Sequence, residues 1–185
     1  MRTIKIFLAS SSELKEERIA FGYFIQWLDN IYESHGMRIK LIKWEFLDEA
    51  YNNKRKQDEY NEHVLNSDMF IALFNTKVGR YTREELEVAL EENMKKGSPK
   101  IYVFCKAYYG NETEELKNLK EYLNEKGFLW YSFENIDNMQ MQFVQQLVLY
   151  ENLLPQHNVE DGKVRLGEVE IEKMDHLTFM ANNEQ

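Results

Sequence analysis

One short stretch of the chain combines a hydroxyl group, an aromatic ring and two adjacent carboxyl groups at the start of a predicted helix. It reads Tyr81-Thr82-Arg83-Glu84-Glu85-Leu86. The functional interpretation places Glu85 in a cleft. A structural alternative is equally open, because Thr82 and Glu85 have the spacing of a capping box, in which both side chains only satisfy the first N–H groups of the helix.

A lone carboxylate suits the cleavage of an N-glycosidic bond to a good leaving group. Such a reaction needs stabilisation of a ribosyl cation more than it needs an acid. Nicotinamide in NAD is already cationic and leaves without protonation, so a carboxylate such as that of Glu85 beside the ribose is chemically sufficient.

Further polar and aromatic residues follow the predicted strands. Ser10-Ser11-Ser12-Glu13 opens a helix, where hydroxyl and N–H groups make a weak anion site; the alternative is a capping box of Ser10 and Glu13. Trp44 or Tyr81 could stack on a base, or could simply pack at the core or its rim. The full set of candidate substrate-binding residues is Ser10, Ser11, Ser12, Trp44, Glu45, Thr76, Lys77 and Tyr81.

Strand-like and helix-like patterns alternate along the chain, and they determine where these residues lie. Strands are predicted at Ile4–Ala9, Arg38–Trp44, Met69–Phe74, Ile101–Cys105 and Leu129–Tyr131. Helices are predicted at Glu13–Ser34, Gln57–Leu65, Asn111–Lys126 and Ile136–Val148, with a further helix opened by Tyr81 and stopped by Gly97-Ser98-Pro99. This alternation predicts an α/β protein with a flavodoxin-like, doubly wound parallel sheet of five strands in the order 2-1-3-4-5. Ligands bind such sheets at the carboxyl ends of the strands, where the strand order reverses.

Composition and charge exclude several classes of protein. A formal net charge of −9 repels phosphate backbones, so direct nucleic-acid binding is not expected. No apolar run approaches the roughly 20 residues of a membrane helix, and no signal peptide fits the N-terminus. The single cysteine, Cys105, is predicted to be a buried thiol, and the reducing cytoplasm is the expected compartment. The four histidines have no metal-ligand spacing, so neither a metal nor a bound cofactor is expected.

The pattern changes after Pro155. We expect one domain over residues 1–154, followed by a connector over 155–185 that leads to further domains of a longer protein. Within the connector, Val164–Ile171 could form a small hairpin that turns at Gly167.

Several motifs together resemble a Toll/interleukin-1 receptor (TIR) domain, and more narrowly the TIR-like domains at the N-termini of bacterial STAND-type NTPases of antiviral defence. The resemblance covers about residues 4–150. The motifs are Ile6-Phe7-Leu8-Ala9-Ser10, Ser67-Asp68 before the third strand, Thr82-x-x-Glu85-Leu86-x-x-Ala89-Leu90, and Lys96-Gly97-Ser98-Pro99-Lys100-Ile101. The same glutamate and a following Gly-x-Pro are also similar to nucleoside deoxyribosyltransferases.

The resemblance implies an effector that cleaves NAD, as substrate rather than cofactor, when its TIR-like domains self-associate. Glu85 then matches the catalytic glutamate of the family, with Glu84 as the fallback. The polar stretch Phe46–Lys56 matches an assembly and gating element. The alternatives are a non-catalytic signalling module that works through domain contacts, and a nucleoside or nucleotide glycosidase or transferase.

Overall fold

The computed structural model describes residues 1–43, 56–107 and 112–147, together with three short strands at 157–160, 163–166 and 169–171. Trp44, Glu45 and all but the last residue of the stretch Phe46–Lys56 lie outside the described residues. The strands are β1 (Arg2–Ser10), β2 (Met37–Lys43), β3 (Met69–Phe74), β4 (Lys100–Lys106), β5 (Trp130–Phe133), β6 (His157–Glu160), β7 (Lys163–Leu166) and β8 (Val169–Ile171). The helices are α1 (Lys15–Glu33), α2 (Lys56–Leu65), α3 (Arg80–Lys96), α4 (Glu114–Glu125) and α5 (Ile136–Gln145), and a short 3₁₀ helix at Ser12–Leu14 precedes α1.

The first five strands form one parallel sheet in the order β2-β1-β3-β4-β5. This confirms the predicted flavodoxin-like α/β fold. β3 lies between β1 and β4, and all six of its residues are buried. Its uninterrupted apolar sequence fits a strand that is covered on both faces.

Two apolar layers cover the sheet, because alternate side chains of each strand point to opposite faces. In β1, Ile6 and Leu8 face α1 and α5, whereas Phe7 and Ala9 face α2, α3 and α4. On the first face the helices bury Phe21, Ile25, Leu28, Tyr32, Met139 and Phe143. On the second face they bury Val64, Leu86, Ala89, Leu90, Leu116, Leu119 and Leu123. Cys105 belongs to the second layer, and burial raises its pKa to about 12, as expected for an inert thiol.

Local contacts explain one element end that differs from the prediction and one that agrees with it. α4 begins at Glu114 rather than Asn111, because the hydroxyl group of Thr113 caps the helix by accepting from the Leu116 backbone N–H at 3.3 Å. The C-terminal end of α3 is confirmed: Gly97 adopts the left-handed conformation (φ +73°) in which glycine is favoured.

The C-terminal strands form a separate antiparallel sheet in the order β6-β7-β8. The predicted hairpin corresponds to β7 and β8, and β6 is an additional strand that the sequence pattern did not indicate. The proposed boundary near residue 154 stays a prediction. Among the described residues, none of the helices has the length and apolar character needed to cross a membrane.

The Ser67-Asp68 pair joins three strands at their amino ends. The Ser67 hydroxyl group donates to the Val64 carbonyl oxygen at 2.7 Å, where α2 ends. The Asp68 carboxylate accepts from the Lys5 backbone N–H at 2.7 Å, and the Asp68 backbone bonds to the main chain of both Lys5 and Lys100. In this structure the pair therefore aligns β1, β3 and β4, at the edge of the sheet opposite to the carboxyl ends.

We expect Asp68→Ala to lower the free energy of unfolding by about 1 kcal/mol, because the Lys5 N–H loses a charged acceptor. Asp68→Asn should cost less, since its amide oxygen can still accept that bond. Denaturant titration of both variants measures the difference. An Asp68→Ala protein as stable as the wild type would show that the main-chain bonds alone hold the alignment.

Candidate active site

Glu85 lies in the second turn of α3 and does not cap the helix. The N-cap residue is Gly79, and the Arg83 backbone N–H donates to its carbonyl oxygen at 2.9 Å. The capping-box interpretation of Thr82 and Glu85 is therefore wrong. α3 begins at Arg80 because Gly79 provides the extended N-cap backbone, so Thr82 already lies inside the first turn.

Burial defines the chemical state of Glu85. Its side chain is only 6% exposed, and the neighbouring Leu86 and Ala89 are fully buried in the α2–α3–α4 layer. Desolvation raises the pKa of Glu85 to about 7; the Gln57 hydrogen bond lowers it, and the nearby charge of Glu84 raises it. The carboxyl group is thus close to half protonated at neutral pH, as an acid–base catalyst requires.

Two amide side chains of α2 connect the adjacent carboxyl groups of α3. Gln57 Nε2 lies 3.4 Å from Glu85 Oε1 and 3.2 Å from Asn61 Oδ1. Asn61 Nδ2 in turn donates to Glu84 Oε1 at 3.2 Å. Sequence reasoning missed both amides. The available signal was their spacing with Val64, at i, i+4 and i+7, which places all three on one face of α2.

The three serines at the carboxyl end of β1 have different surroundings. Ser10 Oγ accepts a hydrogen bond of 2.6 Å from the buried Arg18 guanidinium group on α1. Ser11 has an extended backbone (φ −63°, ψ 154°), and its N–H group donates to the Leu73 carbonyl oxygen at 3.3 Å. Ser11 is 4% exposed, and its hydroxyl group has no hydrogen-bond partner among the described residues. Ser12 is exposed.

Glu13 bonds to the loop after β3 and does not form the proposed capping box with Ser10. Its Oε1 atom accepts from the Thr76 hydroxyl group at 2.5 Å, and Oε2 accepts from the backbone N–H groups of Thr76 and Lys77 at 3.2 and 3.1 Å. The Thr76 hydroxyl bond is the main cause that lowers the Glu13 pKa. On its other side, the Thr76 carbonyl oxygen accepts from the Thr113 hydroxyl group at 2.5 Å. The capping interpretation fails because this contact across the edge of the sheet occupies the carboxylate.

The remaining predicted residues are not joined to the cluster around Glu85. Tyr81 is 62% exposed at the start of α3, so stacking of its ring on a base stays a prediction. The side chain of Lys77 is also exposed. The proposed roles of Trp44 and Glu45 fall outside the described residues. Within the described ranges there is no group of three or more His, Cys, Asp or Glu side chains that could hold a metal ion.

We expect Glu85→Gln to change how stability depends on pH. Below pH 4.5 the Glu85 carboxyl group is neutral in both the folded and the unfolded wild type. As the pH rises from 4.5 to 7, the unfolded state ionises first and the wild type loses stability that the variant keeps. Above pH 7 the increase in the free energy of unfolding of the variant relative to the wild type should level off at roughly 3 kcal/mol.

Chemical denaturation at pH 4, 6 and 8 measures this dependence. Glu87→Gln is the matched control on the same helix, because the Glu87 carboxylate is exposed and pairs with Arg83 at the surface. If the free energies of unfolding of Glu85→Gln and the wild type change with pH in parallel, the raised pKa of Glu85 is contradicted.

Comparison with solved structures gives distant similarities over most of the chain. CMP N-glycosidase BcmB of Clostridium botulinum aligns with a TM-score of 0.47 at 13% identity, over 76% of this chain and 98% of its own. A conserved protein from Enterococcus faecalis V583 gives 0.46 at 14% identity, over 78% and 99%. An NADPH-quinone reductase from P.pentosaceus gives 0.34 at 8% identity, over 80% and 97%.

Such low identities and scores carry no conclusion about activity. No protein-family model and no curated protein matches the chain. Membership of the TIR family therefore stays a proposal.

Proposed function

We propose that this protein cleaves the N-glycosidic bond of a nucleoside or nucleotide and that Glu85 is its catalytic residue. The observation that supports this most directly is a buried carboxyl group with a pKa near neutrality, in the helix that follows the central strand. Buried acids with strongly shifted pKa values occur preferentially at functional sites. Ser11 directly follows the carboxyl end of β1, and we propose its buried hydroxyl group, which has no hydrogen-bond partner among the described residues, as a second polar group for a sugar or phosphate oxygen.

The raised pKa of Glu85 favours a substrate whose leaving base is neutral. Protonated Glu85 can give its proton to a ring nitrogen of the base as the bond between C1′ and nitrogen breaks. The resulting carboxylate stabilises the ribosyl cation. Water then adds to C1′ and returns a proton to Glu85, so the products are the free base and the ribose or ribose phosphate.

NAD is the second candidate substrate. Its nicotinamide leaves without a proton, so that reaction needs only one ionised carboxylate, and the cluster contains one strongly buried carboxyl group. The TIR resemblance includes the motif Glu-Leu-x-x-Ala, which here is Glu85, Leu86 and Ala89. Leu86 and Ala89 are both buried in the core, and their packing determines which side of α3 carries Glu85. The role in antiviral defence that we propose beside this substrate is what the TIR resemblance implies.

We expect Glu85→Gln to reduce cleavage by a hundredfold or more, because the variant can neither donate the proton nor carry the negative charge. Glu87→Gln should stay close to the wild type. The assay incubates each protein with nucleosides, nucleoside 5′-monophosphates and NAD, and follows the released base or nicotinamide by chromatography. A range of protein concentrations should be used, since we also propose that self-association activates the protein.

The result that would contradict the catalytic assignment is undiminished cleavage by folded Glu85→Gln. If the wild type releases no base from any of these substrates at any concentration, the non-catalytic signalling module becomes the better explanation.

We expect the pH dependence of kcat/KM to distinguish the two substrate classes. If Glu85 acts as an acid on a neutral base, kcat/KM should fall as the pH rises through about 7. If Glu85 acts only as a carboxylate on NAD, kcat/KM should instead rise through the same pH and then level off. Measuring kcat/KM from pH 5 to pH 9 shows whether it falls or rises with pH. If kcat/KM does not change near pH 7, Glu85 does not titrate in the reaction.

A further inference from the structure

Gln57 connects α2 to the carboxyl group of Glu85. It lies in the first turn of α2, is 5% exposed, and is separated from Glu85 by 28 positions in the chain. Among the described residues, its amide is the hydrogen-bond donor to Glu85. The contact therefore depends on how α2 packs against α3 and not on local helix geometry.

Few other groups near Glu85 affect its charge. From α2, the face with the spacing i, i+4 and i+7 presents Gln57, Asn61 and Val64, none of which titrates. From α3 itself the charged neighbour is Glu84. The buried side chains that the sheet contributes to this layer are Phe7, Ala9, Phe70, Ala72, Phe74, Val103 and Cys105. Of these the Cys105 thiol titrates, but burial raises its pKa to about 12, so it is neutral where Glu85 titrates. Among the described residues, Gln57 thus opposes the combined effect of burial and Glu84.

The direction of the Gln57 amide is determined by its neighbours. A carboxylate can only accept hydrogen bonds, so Glu84 requires Asn61 to present its NH₂ group. The Asn61 amide then presents its oxygen atom to Gln57, which must in turn present its own NH₂ group. The second hydrogen of that group is directed toward Glu85 Oε1. The partly buried pair of Glu84 and Asn61 therefore orients the Gln57 donor toward the buried Glu85 carboxyl group.

We propose that Gln57 is a positioning residue for Glu85: its amide, oriented by Asn61 and Glu84, holds the Oε1 atom and favours the ionised form of the carboxyl group. This inference rests on the proposed function, in which Glu85 gives up a proton and carries a negative charge while the base leaves. Hydrogen bonds to an ionised acceptor are stronger than those to a neutral one. The Gln57 bond therefore strengthens as the reaction proceeds and stabilises the state after proton transfer.

The test is the titration of the Glu85 carboxyl carbon by ¹³C NMR in the full chain, which needs no substrate. In Gln57→Leu the pKa of Glu85 should rise by about half a pH unit, the effect of losing one long hydrogen bond. In Gln57→Glu it should rise further, because a second carboxylate replaces the donor. In both variants the pH at which kcat/KM changes should also move to a higher value.

Val64→Ala is the matched control, since it weakens the packing of α2 without touching Glu85. It should lower stability and leave the titration of Glu85 in place. The proposal is overturned if Gln57→Leu leaves the titration unchanged, or if Val64→Ala moves it as far. A wild type that cleaves no nucleotide would overturn the proposed function, while the NMR titration would still decide the role of Gln57.

Discussion

The burial of β3 on both faces is the constraint on which the rest of this structure depends. A strand of six apolar residues, each fully or almost fully shielded from solvent, needs a neighbour on either side and a layer of helices above and below. β1 and β4 supply the neighbours, and the crossovers between parallel strands supply the helices. The helix that leaves the carboxyl end of β3 is α3, so the same requirement that buries the strand also brings Glu85 to the edge where the strand order reverses.

Against this apolar background, the contact between α2 and α3 is exceptional. Two carboxyl groups and two amides lie where a well-packed interface would place aliphatic side chains. An isolated buried carboxylate is strongly unfavourable, and each amide offsets only part of that cost. Proteins commonly retain such unfavourable groups at sites of chemistry, where a strained or poorly solvated group is useful. Glu84 and Asn61, which are partly buried, form the outer end of this arrangement, and the buried Gln57 and Glu85 form the inner end.

Hydrophobic patterning was sufficient to predict the sheet, its strand order and the faces of most helices, because burial repeats with the period of each element. Local spacing was a poor guide to polar contacts. Glu13 stands three residues after Ser10, as in a capping box, yet it bonds to Thr76, more than sixty positions away. Gln57 could not be paired with Glu85 from the sequence, since nothing in either segment encodes how the two helices pack. Glu85 was singled out by its segment, Tyr81–Leu86, and by a motif whose apolar members, Leu86 and Ala89, are core residues; its catalytic role stays a proposal.

The attachment of Thr76 on both sides affects how a ligand could be accommodated. Its N–H and hydroxyl groups are held by Glu13, which precedes α1, and its carbonyl oxygen by Thr113, which caps α4. Segments from three of the crossovers, those through α1, α3 and α4, thus meet at one residue just after the carboxyl end of the central strand. A loop fixed in this way has lost its conformational entropy during folding, so a molecule that binds beside it does not bear that cost. Under the proposed function, a substrate held at this edge therefore needs fewer contacts for a given affinity than it would beside a loop that becomes ordered on binding.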